Sequence, residues 1–407
     1  MLHGYPRTDG RKGIRNILAV VYLVECAHHV AREIASGFWG EPVHLIGFPG
    51  CYPSEYGLRM MHRLCTHPNV GAVLLVSLGC ESFPRERLAE AIGRSGRPVQ
   101  TLIIQQAGGT TSSIHQGQAW VRETLDQLRT AQQVPMGIHE LVVGTICGGS
   151  DATSGLTANP ACGRAFDLLL QDGATCIFEE TGELIGCEHL MAQRAVSPEL
   201  AHQLIQAVQK AAQYYKAYGH ASFAVGNAEG GLTTIEEKSL GAYCKTGRSP
   251  IAGYLKPGQL PPGPGLYLMD VVPDGQPRWG FPNISDNAEI VELIACGVHL
   301  TLFTTGRGSV VGSAIAPVLK VCANPETYRR MAEDMDIHAG RILEGEATLD
   351  EVGQEIYQRV LAVASGQPTA SERLGHQEFI LTYKEFDWNT AGPVSWQEIP
   401  TDCSRCC

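Results

Sequence analysis

The sequence predicts an α/β protein: a parallel, Rossmann-like sheet domain followed by a second α/β domain with long glycine-rich loops. Four strand-then-helix units follow one another between Ile17 and Gln127, and the alternation resumes after Pro135. With 407 residues, 44% of them hydrophobic, the chain is long and apolar enough for two buried cores. The expected division is 1–134 and 135–407.

In the first part, the apolar run 17–24 precedes a helical stretch at 27–35, and 43–46 precedes 54–65. Residues 70–77 then precede 84–94, and 99–104 precede 114–129. Short apolar runs, each returned by an amphipathic helix, describe parallel strands with helices on both faces. Ligands of such sheets sit beyond the carboxyl ends of the strands. In the second part, strand 141–145 leads into Gly148-Gly149-Ser150 and a helix near 160–171, and strand 174–178 leads into 183–194. A long helix follows at 198–218. Residues 219–265, rich in glycine and proline, read as a functional loop. Strands near 266–271 and 299–304 flank a helix at 287–296, with further helices near 325–335 and 349–365. The tail from Pro368 has no period.

A formal charge of -11 excludes a general nucleic-acid surface, so an anionic ligand needs a local cluster. The apolar runs fall far short of the roughly 20 residues of a bilayer span. The first residues lack the order of a signal peptide. Fourteen cysteines scattered through strands and turns then read as reduced thiols of a cytoplasmic protein.

Six stretches carry candidate chemistry. Arg7, Arg11, Lys12 and Arg15, with Asn16, lie in a glycine-rich run where guanidiniums can fork a carboxylate, or simply stand in a solvated turn. Cys26, Cys51, Cys80 and Cys147 fall at strand ends, where a metal site can be assembled; buried cysteine is as often an inert hydrophobe. The loop from Gly148 through Ser150 and Asp151 offers backbone N–H groups to an anion and a carboxylate to a metal, or caps a helix. Glu179-Glu180-Thr181-Gly182-Glu183 crowds carboxylates that chelate a cation or raise one another's pKa. Lys238, beside Glu236 and Glu237, suits a general base or an enolate-stabilising cation; a surface pair is the plainer reading. Thr304-Thr305-Gly306-Arg307 is an anion-cradling turn.

Taken in order, GYPRTDGRKGIRN (4–16), CGGSDATSGLTANPACG (147–163), EETGELIGCEHL (179–190), GNAEGGLTTIEEKSLGA (226–242), LFTTGRGSVVG (302–312) and MAEDMDIHAGRILEG (331–345) resemble the altronate and galactarate dehydratase family across the whole chain. Around Cys51 the chain has Phe48-Pro49-Gly50, without the histidine expected there. The resemblance implies a hydro-lyase for altronate or a related hydroxy-acid, working through an enolate with a divalent metal, Fe2+ first and Mn2+ second.

The inventory fits that chemistry in three roles. Lys238, Glu237 and Glu180 suit proton transfer. Arg7, Arg11, Arg15, Asn16, Ser150, Thr304, Thr305 and Arg307 suit substrate binding. Cys51, Cys147, Asp151 and Glu180 suit the metal. An oligomer and a separate small SAF-like subunit are expected partners, since the family motifs begin at Gly4. The alternatives are a sulfo-lyase acting on a sulfonated hydroxy-acid and a binding homologue without catalysis. A dinucleotide oxidoreductase is disfavoured, because no glycine fingerprint follows the first strand. Cys403-Ser404-Arg405-Cys406 is half a zinc motif and is expected to be a dispensable end.

Overall fold

Side chains of the strand Ile17–Tyr22 alternate between two cores, with Ile17, Ala19 and Val21 in one and Leu18 and Val20 in the other. That period-two division makes it a central strand covered on both faces. The computed structural model, describing residues 2–219, 222–275 and 284–387, places it in a four-stranded parallel sheet. The order is Val43–Gly47, Ile17–Tyr22, Val70–Ser77, Val99–Ile103. Helices Glu25–Ser36 and Thr110–Arg129 cover one face, and Glu55–Cys65 and Arg85–Arg94 the other.

The second sheet has seven parallel strands in the order Ile251–Leu255, Gly265–Met269, Thr175–Phe178, Val142–Cys147, Leu300–Thr305, Val318–Cys322, Ile337–His338. Helices Ala158–Gln171 and Leu349–Ala364 pack on one face. Thr348 starts the latter with a reciprocal capping box to Glu351. On the other face, Asp286–Ala295 joins the first sheet's core: Ile290, Val291 and Ile294 meet Tyr56, Met60 and Phe48.

Asn69, just before Val70–Ser77, donates through Nδ2 to the carbonyl oxygens of His299 and Ile315, which precede strands of the second sheet (3.1 and 3.2 Å). The amino ends of the two sheets therefore meet. A short antiparallel sheet of Leu2–Pro6, Lys12–Gly13 and Val134–Met136 closes the amino side.

The stretch read as one loop, 219–265, differs from that expectation. It contains the helices Val225–Glu229 and Ile235–Tyr243 and the edge strand Ile251–Leu255. Its glycines and prolines lie largely in the turns between these elements, while Thr234 caps Ile235–Tyr243 by accepting from Glu237 N. No helix among the described residues is long and apolar enough to cross a membrane. The cysteines of the tail, Cys403 to Cys407, lie outside the described residues, and the eleven described cysteines are free thiols.

Candidate active site

Strand Val142–Cys147 ends by delivering Cys147 to the carboxyl edge, next to the end of Thr175–Phe178. There the chain turns through Glu180, a non-glycine residue with φ of 69°, a left-handed conformation that costs of the order of 1 kcal/mol or more. The turn folds its carboxylate back over the strand ends: Glu180 Oε2 accepts from Cys147 N at 2.9 Å and is ion-paired with Lys245 Nζ. Lys245, fully buried, also donates to Cys147 Sγ at 3.2 Å. The thiol reaches Glu183 Oε2 at 3.2 Å, and Lys238 Nζ holds the other oxygen of Glu183 at 2.5 Å.

Behind these lie Glu179, Asp286 and Glu289. Burial pushes Glu179 well above the usual carboxylate range, and Glu289 adds to the shift. Burial likewise raises Glu289 to about 8, helped by Asp286, and Asp286 to about 6, helped by Glu183. The Cys147 thiol is pushed up to about 11 by burial and by Glu183. Burial works against the Lys238 ammonium, but Glu183 outweighs it and keeps the pKa above its ordinary value. Lys238 is therefore a cation and proton donor at neutral pH.

Glu179, Glu180, Glu183, Asp286 and Glu289 crowd around Lys238 and Lys245, with Lys384 acting on Glu289 from beyond, and holding all five ionised together takes a further cation. Cys147, Glu180 and Glu183 offer ligand atoms within 4.8 Å of one another, as do Glu179, Glu180 and Glu289. Both Glu179 oxygens are buried with no hydrogen-bond partner. This donor set fits a divalent metal ion.

Not every residue singled out in the sequence meets here. Ser150 stands close enough to Cys147 to ease the upward shift of its thiol, and so lies at the cluster. Arg307 lies at the same edge, half-exposed, bonded to Gly226 O and Glu229, and its N–H donates to Gly149 O. Thr305 Oγ1 accepts from Gly308 N, and Thr304 Oγ1 donates to Asn159 at 2.6 Å, so both shape the turn. Asp151 is committed as well: Oδ1 accepts from Thr153 and Ser154, and Oδ2 from Asn324. It belongs to neither ligand group. Cys51 is exposed at the end of a first-sheet strand and also outside both groups. Glu237 precedes Lys238 and so lies about 100° from it around the helix, exposed to solvent, where it accepts from Thr233 N and Oγ1.

The four N-terminal candidates sit on the opposite side, because their segment runs along the amino ends of the strands. Arg7 donates to Pro68 O and to Asn16 Oδ1, and Arg11 to Asp9 and Thr66 O. Arg15 forks Glu372 at 2.7 and 2.9 Å and donates to three carbonyls. Asn16 Nδ2 donates to Leu128 O. They do not share a cleft with Cys147.

Sequence reasoning overlooked Lys245, Asp286 and Glu289. The signal for the last two was available: Asp286, Glu289 and Glu292 recur every three residues in a helix otherwise apolar from Ala288 to Ala295. Lys245 carried no local signal beyond its place after Cys244.

The fold gathers titratable groups at the carboxyl edge of a parallel α/β sheet, around donor atoms that could hold a cation. Residues 4–129 match the family model described as D-galactarate dehydratase/Altronate hydrolase, second domain, and 138–386 the D-galactarate/Altronate dehydratase, C-terminal model. The chain is 35% identical over 393 residues to the (2R)-sulfolactate sulfo-lyase subunit beta of Chromohalobacter salexigens, covering 93% of this chain and 96% of that one. It is 33% identical over 399 residues to the galactarate dehydratase (L-threo-forming) of Escherichia coli, covering 91% and 74%. With the altronate dehydratase of Bacillus subtilis it shares 29% over 394 residues, covering 93% and 76%. The chain belongs to the galactarate and altronate dehydratase family of lyases.

Proposed function

We propose that this chain is the large subunit of a cytoplasmic lyase that removes water from a sugar acid or related 2-hydroxy-acid, with a divalent metal, Fe2+ in the first place, bound at the carboxyl edge. The observation that carries it is the buried Cys147, Glu180, Glu183, Lys238 and Lys245 cluster.

Elimination of this kind moves the proton beside the substrate carboxylate to a base. The neighbouring carbon–oxygen bond then breaks with its electron pair, the hydroxide leaves as water, and the enol relaxes to a 2-oxo acid. Lys238 is placed to stabilise the enolate or protonate the leaving group, and Asp286 beside it to take the proton. Cys147, Glu180 and Glu183 would hold the metal, which supplies a Lewis acid for the substrate carboxylate. Arg307 and Ser150 would orient the anionic substrate.

Expulsion of sulfite in place of water uses the same proton abstraction and enol. This second reading is favoured by the coverage of 96% of the sulfo-lyase subunit, against 74% of the galactarate dehydratase. That relative's name, a subunit beta, also supports a small partner chain.

The test is an anaerobic screen of hydroxy-acids with purified chain, ferrous iron and a candidate small subunit, reading 2-oxo acid and sulfite separately. Oxo acid without sulfite from a sugar acid is the expected result. Sulfite from a sulfonated hydroxy-acid would replace the first reading by the second, and tight binding with no product from any acid would contradict both.

A further inference from the structure

We infer that the cluster at the carboxyl edge holds two cations side by side, in sites of different chemistry that share Glu180. The inference rests on the lyase reading only in taking the thiol-bearing half as the reaction's metal site.

The first half is Cys147, Glu180 and Glu183, and the second is Glu179, Glu180 and Glu289; within each, the ligand atoms lie within 4.8 Å of one another. Glu180 is common to both because of the turn it makes. In an extended strand Glu179 and Glu180 would point to opposite faces, but the left-handed backbone at Glu180 breaks the alternation and brings both carboxylates to one place.

The two halves are not equally provided for. Lys245 bonds Glu180 and Cys147 and Lys238 bonds Glu183, whereas in the all-carboxylate half Lys384 and Lys245 act on Glu289 and Glu179 only through space, with no bond to Glu179. Glu179 is fully buried, and neither of its oxygens has a hydrogen-bond partner. A carboxylate stripped of water and given no donor is among the least tolerable groups in a protein interior, unless a ligand completes it. A protonated Glu179 would also need an acceptor, and its oxygens find none.

The donor atoms set the class of each ion. Thiolate with carboxylates suits Fe2+ or another borderline transition metal, whereas three carboxylates with no nitrogen or sulfur suit a hard ion of the Mg2+, Mn2+ or Ca2+ class. Two adjacent cations match a substrate that presents a carboxylate and a neighbouring hydroxyl, one oxygen group to each.

Manganous ion, which both donor sets accept, is the probe. The full chain, purified without oxygen, stripped with chelator and dialysed against Mn2+, is expected to carry two manganese per chain by elemental mass spectrometry. Its electron paramagnetic resonance spectrum should show exchange coupling between neighbouring ions. Glu289→Gln and, separately, Glu179→Gln should each hold one manganese and lose the coupling, while Cys147→Ser keeps the all-oxygen site. Both glutamine variants preserve side-chain shape and remove a like charge, and the wild-type count stands if either fails to fold. One manganese in the wild type and in both glutamine variants would overturn this inference and leave the lyase reading intact. Two uncoupled ions in all three would overturn the shared-ligand assignment, and no bound manganese at all would remove the metal from both.

Discussion

At the amino edge of the sheets, Arg7, Arg11, Arg15 and Arg97 are taken up by carbonyl oxygens and carboxylates, and His67, Asn69 and His299 bond across the seam between the sheets. At the carboxyl edge, Lys245 and Lys238 are taken by Glu180 and Glu183, and Glu179 has no donor at all. Both edges are rich in charge, yet one is complete within the protein and the other is not. Completed polar groups fasten an architecture. Incomplete ones are where a ligand has work to do.

The largest effect expected from this contrast is on turnover. Glu180→Gln and Lys238→Met should each lower kcat by about a thousandfold or more in protein that still folds, since each removes a group that faces the reacting atoms, and each should also lower the unfolding midpoint by breaking a buried ion pair. Near-normal kcat in Lys238→Met would return that residue to a structural pair with Glu183.

Next in size is a loss of stability without loss of chemistry. Arg15→Ala leaves Glu372 and buried carbonyls without their donor and should cost about 2 kcal/mol in denaturant unfolding. KM should stay within about twofold, an order-of-magnitude expectation for a residue that never meets substrate. A tenfold rise in KM with an unchanged unfolding midpoint would show instead that Arg15 clamps substrate.

The seam between the sheets should also be acid-sensitive. Burial lowers His299 from 6.5 to about 4 and holds His67 well below its ordinary value, so both are neutral in the fold. The unfolded chain takes up these protons first. Stability is whole above pH 6.5 and drains away as pH falls toward 4, by about 1.4 kcal/mol per histidine per pH unit. Replacing His299 by glutamine should flatten that decline; an unaltered slope would place the acid sensitivity elsewhere.

The smallest effect belongs to Glu237. Its carboxylate only closes the turn with Thr233, so Glu237→Ala should cost less than about 1 kcal/mol and leave kcat alone. A tenfold fall in kcat would make it part of the proton-transfer machinery after all.

Strands buried on both faces were legible in the sequence because their apolar runs are continuous, and Val70–Ser77 has the same bounds in both readings. The antiparallel sheet at the amino side was not, since Lys12–Gly13 and Val134–Met136 are too short to show a period. At the site, Cys147 and Glu180 were legible as strand-end residues. Lys245, Asp286 and Glu289 reach it through folding over long distances, which local spacing does not encode. The arginines of the N-terminal run misled for a related reason. A glycine-rich cationic segment has the same sequence whether it grips a substrate carboxylate or the chain's own carbonyls.

The most direct test of the central claim is an anomalous difference map at the iron edge, from crystals of the chain grown anaerobically with ferrous iron. The strongest peak is expected against Glu180 and Cys147, at the carboxyl edge. A peak among Arg7, Arg11 and Arg15, or at exposed Cys51 with none at Glu180, would contradict it.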